Sequence, residues 1–401
     1  MVKLEADQRQ PILVVCLALI GIGNITIPNT IPVISELYLP LVLAVAALVA
    51  LHRILFIVKQ LRYSFVIIFT LFTFLPGFMH QPLSEYGRTK LIAVVIAFFL
   101  IIAPSAFLNV RQNISLIFSI LFIISAFTIL CFFVFSEVSS SGRTVLPGLN
   151  PIGTARVCGL SVVLLITGTL LGRFKSNLQM ALFFIILVPS VVATFLTGSR
   201  GPVLSVAVSV VLIVLFWKPV SRETSRLRWV LLICGIASVV SFLWIDENSS
   251  RLQSTDSSGR DTLFLIAWDA IKKNPTGIGW GNYGTLFEVG WEKDTVSYPH
   301  NIFLEIAVEG GWLACLGFST LFILAAQNVF RGARQGNRTA AIVFSLLVFT
   351  IVNASLSSDL VGNRLMWLAI GLSLLYYPKS ETEVHESSAT KSGASGFAFK
   401  V

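Results

Sequence analysis

Charge is what this chain has least of. Only 12% of its 401 residues are Asp, Glu, Lys or Arg, against roughly 25% in a soluble domain. With 55% hydrophobic residues, that shortage excludes an ordinary water-soluble globule. Cysteine is equally sparse. Cys16, Cys131, Cys158, Cys234 and Cys315 all fall in apolar runs and form no CxxC pair, so they read as small core residues rather than a redox centre. There is no HExxH, so no metal is expected, and no GxxxxGK[ST] to cradle a nucleotide. There is no GxSxG elbow. No acidic residue stands out at mid-span, which weighs against proton-coupled transport. No basic-aromatic surface for nucleic acid and no internal repeat are apparent.

What fills the chain is apolar sequence. Runs of about 17–25 residues, long enough to cross a bilayer, recur from end to end. The best count is about twelve: roughly 11–28, 34–52, 63–78, 91–108, 114–136, 154–172, 177–197, 201–217, 228–245, 302–329, 339–356 and 363–377. The expected class is therefore an all-α polytopic integral membrane protein. The first run lacks a small-residue cleavage site and is expected to stay as a helix. The segment 379–401 is rich in Ser, Thr, Glu and Gly and reads as a disordered tail.

Lysine and arginine orient the spans. With both termini in the cytoplasm, 18 of the 29 basic residues fall inside. Of the other 11, Arg251, Arg260, Lys272, Lys273 and Lys293 lie in one long loop, where the rule is weak, so the shorter loops split 18 to 6. This predicts nine spans over 1–245, an extracytoplasmic loop over 246–300, and three spans over 301–378. The net charge of +9 reflects this bias and does not require nucleic acid.

The long loop is the one large polar insert, and such loops are usually functional. Ser258, with Asp261 three residues on, resembles a capping box. Phe264, Ala267, Trp268 and Ile271 follow at helical spacing, and Asn274-Pro275 ends the run. The expectation is an amphipathic helix on the outer membrane surface, with Trp268 at headgroup level. Gly277, Gly279, Gly281 and Gly284, with Trp280 and Tyr283, predict a tight turn with aromatic anchors. Pro299 then opens a new helix with His300 and Asn301 at its mouth.

Three constellations carry candidate chemistry. Thr197-Gly198-Ser199-Arg200-Gly201-Pro202 places an arginine at a helix start, where a planar fork and the helix dipole both favour phosphate. The alternative is an arginine that snorkels to lipid headgroups. Arg260 starts the amphipathic helix, either as a second anion ligand or as a solvated loop charge. Two such arginines on one membrane face suit a pyrophosphate better than either alone. His300-Asn301, with Glu305 and Glu309, puts an imidazole beside carboxylates at a helix mouth. Asn301, Glu305 and Glu309 share one face. His300 is either a general base or a capping and packing residue.

These pieces resemble the O-antigen ligase and polymerase superfamily, membrane glycosyltransferases of the Wzy/WaaL type. The resemblance rests on four ordered segments. They are Gly198-Ser199-Arg200-Gly201, Gly259-Arg260-Asp261, Lys273-Asn274-Pro275-Thr276-Gly277-Ile278-Gly279, and Pro299-His300-Asn301-Ile302-Phe303-Leu304-Glu305 leading to Glu309-Gly310-Gly311. Together they cover about 190–330. The resemblance implies a GT-C-like fold in a bacterial inner membrane. It also implies transfer of glycan from an undecaprenyl-diphosphate donor to a sugar hydroxyl, such as that of lipid A-core, without metal or other cofactor. Carried over, Arg200 and Arg260 hold the diphosphate and His300 activates or orients the acceptor. Asp261, Asn301 and Glu305 support them. The implied partners are the lipid-linked donor, the acceptor and membrane lipids. A polymerase joining lipid-linked repeat units is equally compatible with these motifs. An exporter without chemistry is the alternative of another class.

Overall fold

The computed structural model describes residues 11–22, 42–46, 61–80, 85–107, 112–138, 143–147, 150–171, 177–216, 229, 233, 260–287 and 298–375. Among them run helices α1 (Pro11–Ile22), α2 (Leu61–Phe74), α3 (Glu85–Phe107), α4 (Gln112–Phe135), α5 (Pro151–Leu170) and α6 (Asn177–Leu196). They are followed by α7 (Arg200–Phe216), α8 (Arg260–Lys273), α9 (Ile302–Arg334), α10 (Arg338–Leu356) and α11 (Arg364–Leu374). The strands β1 (Glu137–Val138) and β2 (Thr144–Val145) pair antiparallel before α5. Five helices (α3, α4, α5, α9 and α10) contain stretches at least 18 residues long and apolar enough to cross a membrane. Helices α1, α2, α6, α7 and α11 are apolar but shorter. This is a multi-pass membrane protein. The expected spans at 34–52 and 228–245, and the Ser258 cap, lie wholly or largely outside the described residues.

The bundle is layered around α5, α10 and α11. Every residue of α5 from Thr154 to Leu170 is buried, as is all of α11. A helix apolar all round belongs inside. At the periphery, α4 turns Ile123, Phe127, Leu130 and Val134 outward. Their spacing makes one stripe that suits lipid. Asparagine caps recur where the bundle needs its ends tied. Asn150 accepts from the Ile152 amide, with Pro151 at the first helical position, and Asn337 accepts from the Thr339 and Ala340 amides. These satisfy orphan donors of the first turn.

Three expectations need correction. Lys90 falls between the apolar runs 63–78 and 91–108 and so reads as a loop charge, but α3 begins at Glu85 and carries Lys90 into the bundle, fully buried. Arg156 and Arg364 are likewise buried, at 7% exposure each. The face of α8 also differs: Leu263, Ala267, Ala270 and Ile271 pack inward on Tyr283, Phe287 and the start of α9. Trp268 is 47% exposed, outside that seam. Burial against α9 sets the inward stripe. The apolar spacing chosen from the sequence included the flank.

Helix α9 is two helices in one. Gly311 has φ 77° and ψ −176°, a region essentially reserved for glycine. The break frees two carbonyls and one amide, all of which pair with the glycine-rich turn. The Ile278 amide donates to Val308 O at 3.0 Å, the Gly279 amide to Glu309 O at 2.9 Å, and the Trp312 amide to Pro275 O at 3.0 Å. The turn is therefore a plug. Trp280 and Tyr283 are buried in it, with indole Nε1 donating to Phe74 O at 2.8 Å and the Tyr283 hydroxyl to Leu263 O at 2.7 Å. A methyl on Gly311 would overlap the Thr276 carbonyl carbon and lie 2.7 Å from Pro275 O. Gly311→Ala should therefore cost about 1–3 kcal/mol from the backbone conformation alone. Its melting temperature in detergent should drop by several degrees; an unchanged temperature would contradict this account of the break.

Candidate active site at the end of helix α10

The C-terminal end of α10 is where the candidate residues meet. The last carbonyls of a helix have no partner within it and carry the negative end of its dipole. Here three neighbouring carbonyls take donors from three other elements. Ser355 O accepts from Asn301 Nδ2 at 3.0 Å. Leu356 O accepts from Arg260 Nη1 at 3.1 Å. Ser357 O accepts from Arg156 Nη2 at 2.7 Å. Arg156 also donates to Asn353 O at 3.2 Å and Asn363 Oδ1 at 3.1 Å.

Asn301 works at both ends. Its Oδ1 caps α9, accepting from the Phe303 and Leu304 amides at 3.0 and 3.2 Å. Arg260 is the first residue of α8, as the sequence places it. Arg200 is the first residue of α7 and exposed. Its neighbour Gly201 packs on the same end of α10, where an added Cβ would sit 3.5 Å from Leu356 Cβ. Both arginines therefore start helices that abut Leu356. Arg143, from the β1–β2 region, lies over Gly198 of the same turn and adds another cation there.

His300 sits between these elements with φ 56°, uncommon for a residue with a side chain. Its ring meets Tyr298 edge-on at 4.5 Å between centroids. Its Nδ1 is buried with no hydrogen-bond partner among the described residues. Burial, then the Arg260 cation, holds the imidazole below the ordinary histidine range; Asp359 opposes them. Burial, then Asp359 and Glu305, pushes the Tyr298 phenol up to about 12, so it is neutral near pH 7.

Behind the imidazole lies a buried ionic cluster. Lys90 Nζ stands 2.5 Å from Glu305 Oε1 and 2.5 Å from Glu309 Oε2, all three side chains at 0% exposure. Glu305 also takes the Leu360 amide, at 3.1 and 3.0 Å to its two oxygens. Glu309 Oε1 takes the Tyr283 amide at 3.4 Å. The Tyr86 hydroxyl donates to Asp359 Oδ2, and the Gly362 amide donates to Asp359 Oδ1 at 2.8 Å.

The structure thus brings Arg260, His300, Asn301 and Glu305 together and sets Arg200 beside them. It leaves Asp261 exposed in the first turn of α8, without any of the bonds above. Glu305 and Glu309 are buried near the start of α9, away from its middle. Lys90, Arg156, Tyr86 and Asp359 were missed. A signal existed for Arg156, because an arginine inside an apolar run is costly and rarely idle. Lys90 and Asp359 sit at span edges, where no such signal operates.

Chemically, fixed guanidinium groups at helix starts can hold an anion, and a neutral imidazole can accept a proton from a hydroxyl. Residues 181–319 match the family described as O-antigen ligase. That match supports the resemblance to the O-antigen ligase and polymerase superfamily. No curated protein matches the chain. The family segment contains Arg200, Arg260, His300, Asn301, Glu305 and Glu309. Arg156, which donates to the end of α10, and Lys90 of the ionic cluster lie outside it. The match supports an enzyme of the ligase or polymerase kind, the family's members acting on lipid-linked glycans.

Proposed function

We propose that the chain is an O-antigen ligase-like transferase of a bacterial inner membrane. It moves a glycan from undecaprenyl diphosphate to a sugar hydroxyl of lipid A-core or a similar acceptor. Both termini are cytoplasmic and the loop 246–300 faces the periplasm. Arg200 and Arg260 hold the diphosphate, and His300 takes the acceptor proton. The acceptor oxygen attacks the anomeric carbon, and a new carbon–oxygen bond forms. The bond to the diphosphate oxygen breaks, and its electron pair leaves on the diphosphate, neutralised by the two arginines. The reaction needs no metal, because the arginines supply the positive charge. Asn301 and Glu305 orient the imidazole-bearing turn.

The observation that carries this reading is the convergence of Arg260, Asn301 and Arg156 on three adjacent carbonyls at the end of α10, with His300 next to Asn301 and in the field of Arg260. Such a hub gathers cations and a neutral base where an amphiphilic donor can reach both. The family match favours a polymerase equally, with a second lipid-linked repeat unit as acceptor. An exporter without chemistry requires none of these groups to touch a reacting bond.

The test is transfer by purified protein in detergent and EDTA. Undecaprenyl-diphosphate glycan is supplied with lipid A-core or alone. Product on lipid A-core is expected. Chain extension from donor alone would make the protein a polymerase, and an absence of any product from the cognate glycan would return it to the exporter class.

A further inference from the structure

The geometry points to Lys90 as a positioning residue of this transferase site, acting through Glu305; the inference rests on the transferase reading. Three ionisable side chains at 0% exposure inside an apolar bundle are costly. A buried ion pair stabilises a fold no better than apolar contacts of the same volume, so joining α3 to α9 does not by itself require one. What an apolar contact cannot do is hold a backbone amide. Glu305 does so, receiving the Leu360 amide on both oxygens while Lys90 neutralises and aims its carboxylate.

That bond fixes the first turn of α9 against the segment following α10. The turn carries His300 and Asn301. The segment runs on directly from the last carbonyls of α10, Ser355 O and Leu356 O, on which Asn301 and Arg260 rest, and itself contains Ser357 O, which takes Arg156. Lys90 therefore sets the distance between the base and the cations. It touches no reacting atom, so its effect should appear in the chemical step. Misplacing a catalytic group by about 1 Å costs about 10²-fold.

The second carboxylate supplies an internal control. Glu309 is as buried as Glu305 and equally close to Lys90. It holds the Tyr283 amide of the glycine-rich turn instead. If the cluster were only a structural clamp, neutralising either carboxylate should cost the same. If Lys90 positions the site, only the Glu305 arm should matter for turnover.

The experiment measures kcat, donor KM and melting temperature for wild type, Lys90→Met, Glu305→Gln and Glu309→Gln, each with and without His300→Ala. Lys90→Met and Glu305→Gln should lower kcat by about 30–100-fold, with donor KM changed by less than about threefold. Glu309→Gln should lose less than about fivefold while melting no higher than Glu305→Gln. Adding His300→Ala to Lys90→Met should cost far less than in wild type, because the base is already misplaced. Should Lys90→Met fail to fold, Glu305→Gln, which keeps the side-chain volume, carries the comparison. Equal kcat losses in Glu305→Gln and Glu309→Gln, or full additivity with His300→Ala, would overturn the inference alone. A wild-type protein that transfers nothing overturns the transferase reading and this inference with it.

Discussion

His300→Ala should lower glycan transfer by roughly 10²–10⁴-fold, the usual contribution of a general base. Donor binding should survive, because the proposed diphosphate ligands are Arg200 and Arg260. The pH profile sharpens this expectation. The imidazole is a base only when neutral, and burial and Arg260 hold its pKa below the ordinary histidine range while Asp359 pulls the other way. Its neutral form therefore persists at pH 7. Activity should fall on acidification only through a window below about 6.5. Removing the cation in Arg260→Ala relieves one cause of the depression, so the residual activity's acid limb should move to higher pH. Asp359→Asn removes the opposing carboxylate, so its limb should move lower. Profiles of kcat/KM for the three proteins decide the matter. An acid limb that stays in place in His300→Ala would assign the titration to another group. Tyr298 does not compete, since its phenol stays protonated up to about 12.

How far this site was legible in the sequence depends on the range of each interaction. Arg200, Arg260 and His300-Asn301 announce themselves locally, because helix starts carry capping side chains, prolines and charges that can be read within a few residues. The break in α9 was half legible. Glu309-Gly310-Gly311 and the glycines at 277–281 were visible as motifs, yet nothing in either says that one fills the gap in the other. The Lys90 cluster was illegible, because its partners are separated by more than two hundred residues. A lysine at the edge of an apolar run looks like a loop charge until α3 is placed against α9. Asp359 was hidden in the same way, its role set by Tyr86 from the start of α3. The packing face of α8 was misjudged for a related reason. Periodicity shows that a stripe exists, but its centre is fixed by which neighbour covers it, here Tyr283, Phe287 and α9.

The two arginines should differ in how much they matter. Arg260 is partly buried and anchored on Leu356 O, so its charge acts in a medium that screens poorly. Arg260→Ala should cost about 10²–10³-fold in kcat, comparable to losing a fixed donor aimed at a developing anion. Arg200 is exposed at the start of α7, where water competes for the same phosphate. Its loss should cost less, about 10–100-fold, in line with about 1.5–3 kcal/mol for a hydrogen bond to a charged group. Arg200→Lys separates two roles that its position allows. A lysine keeps the charge and can still reach lipid headgroups, but it cannot form the two-pronged contact with phosphate. If Arg200 binds the diphosphate, the lysine variant should fall close to Arg200→Ala, with most of the loss in donor KM. Wild-type turnover in Arg200→Lys would assign the residue to the lipid surface and leave Arg260 as the principal diphosphate ligand. The Arg200→Lys and Arg260→Ala pair should also lose less than the sum of the single losses if one diphosphate is gripped jointly by both groups, since losing either loosens the other. Independent anions at the two helix starts would make the losses additive.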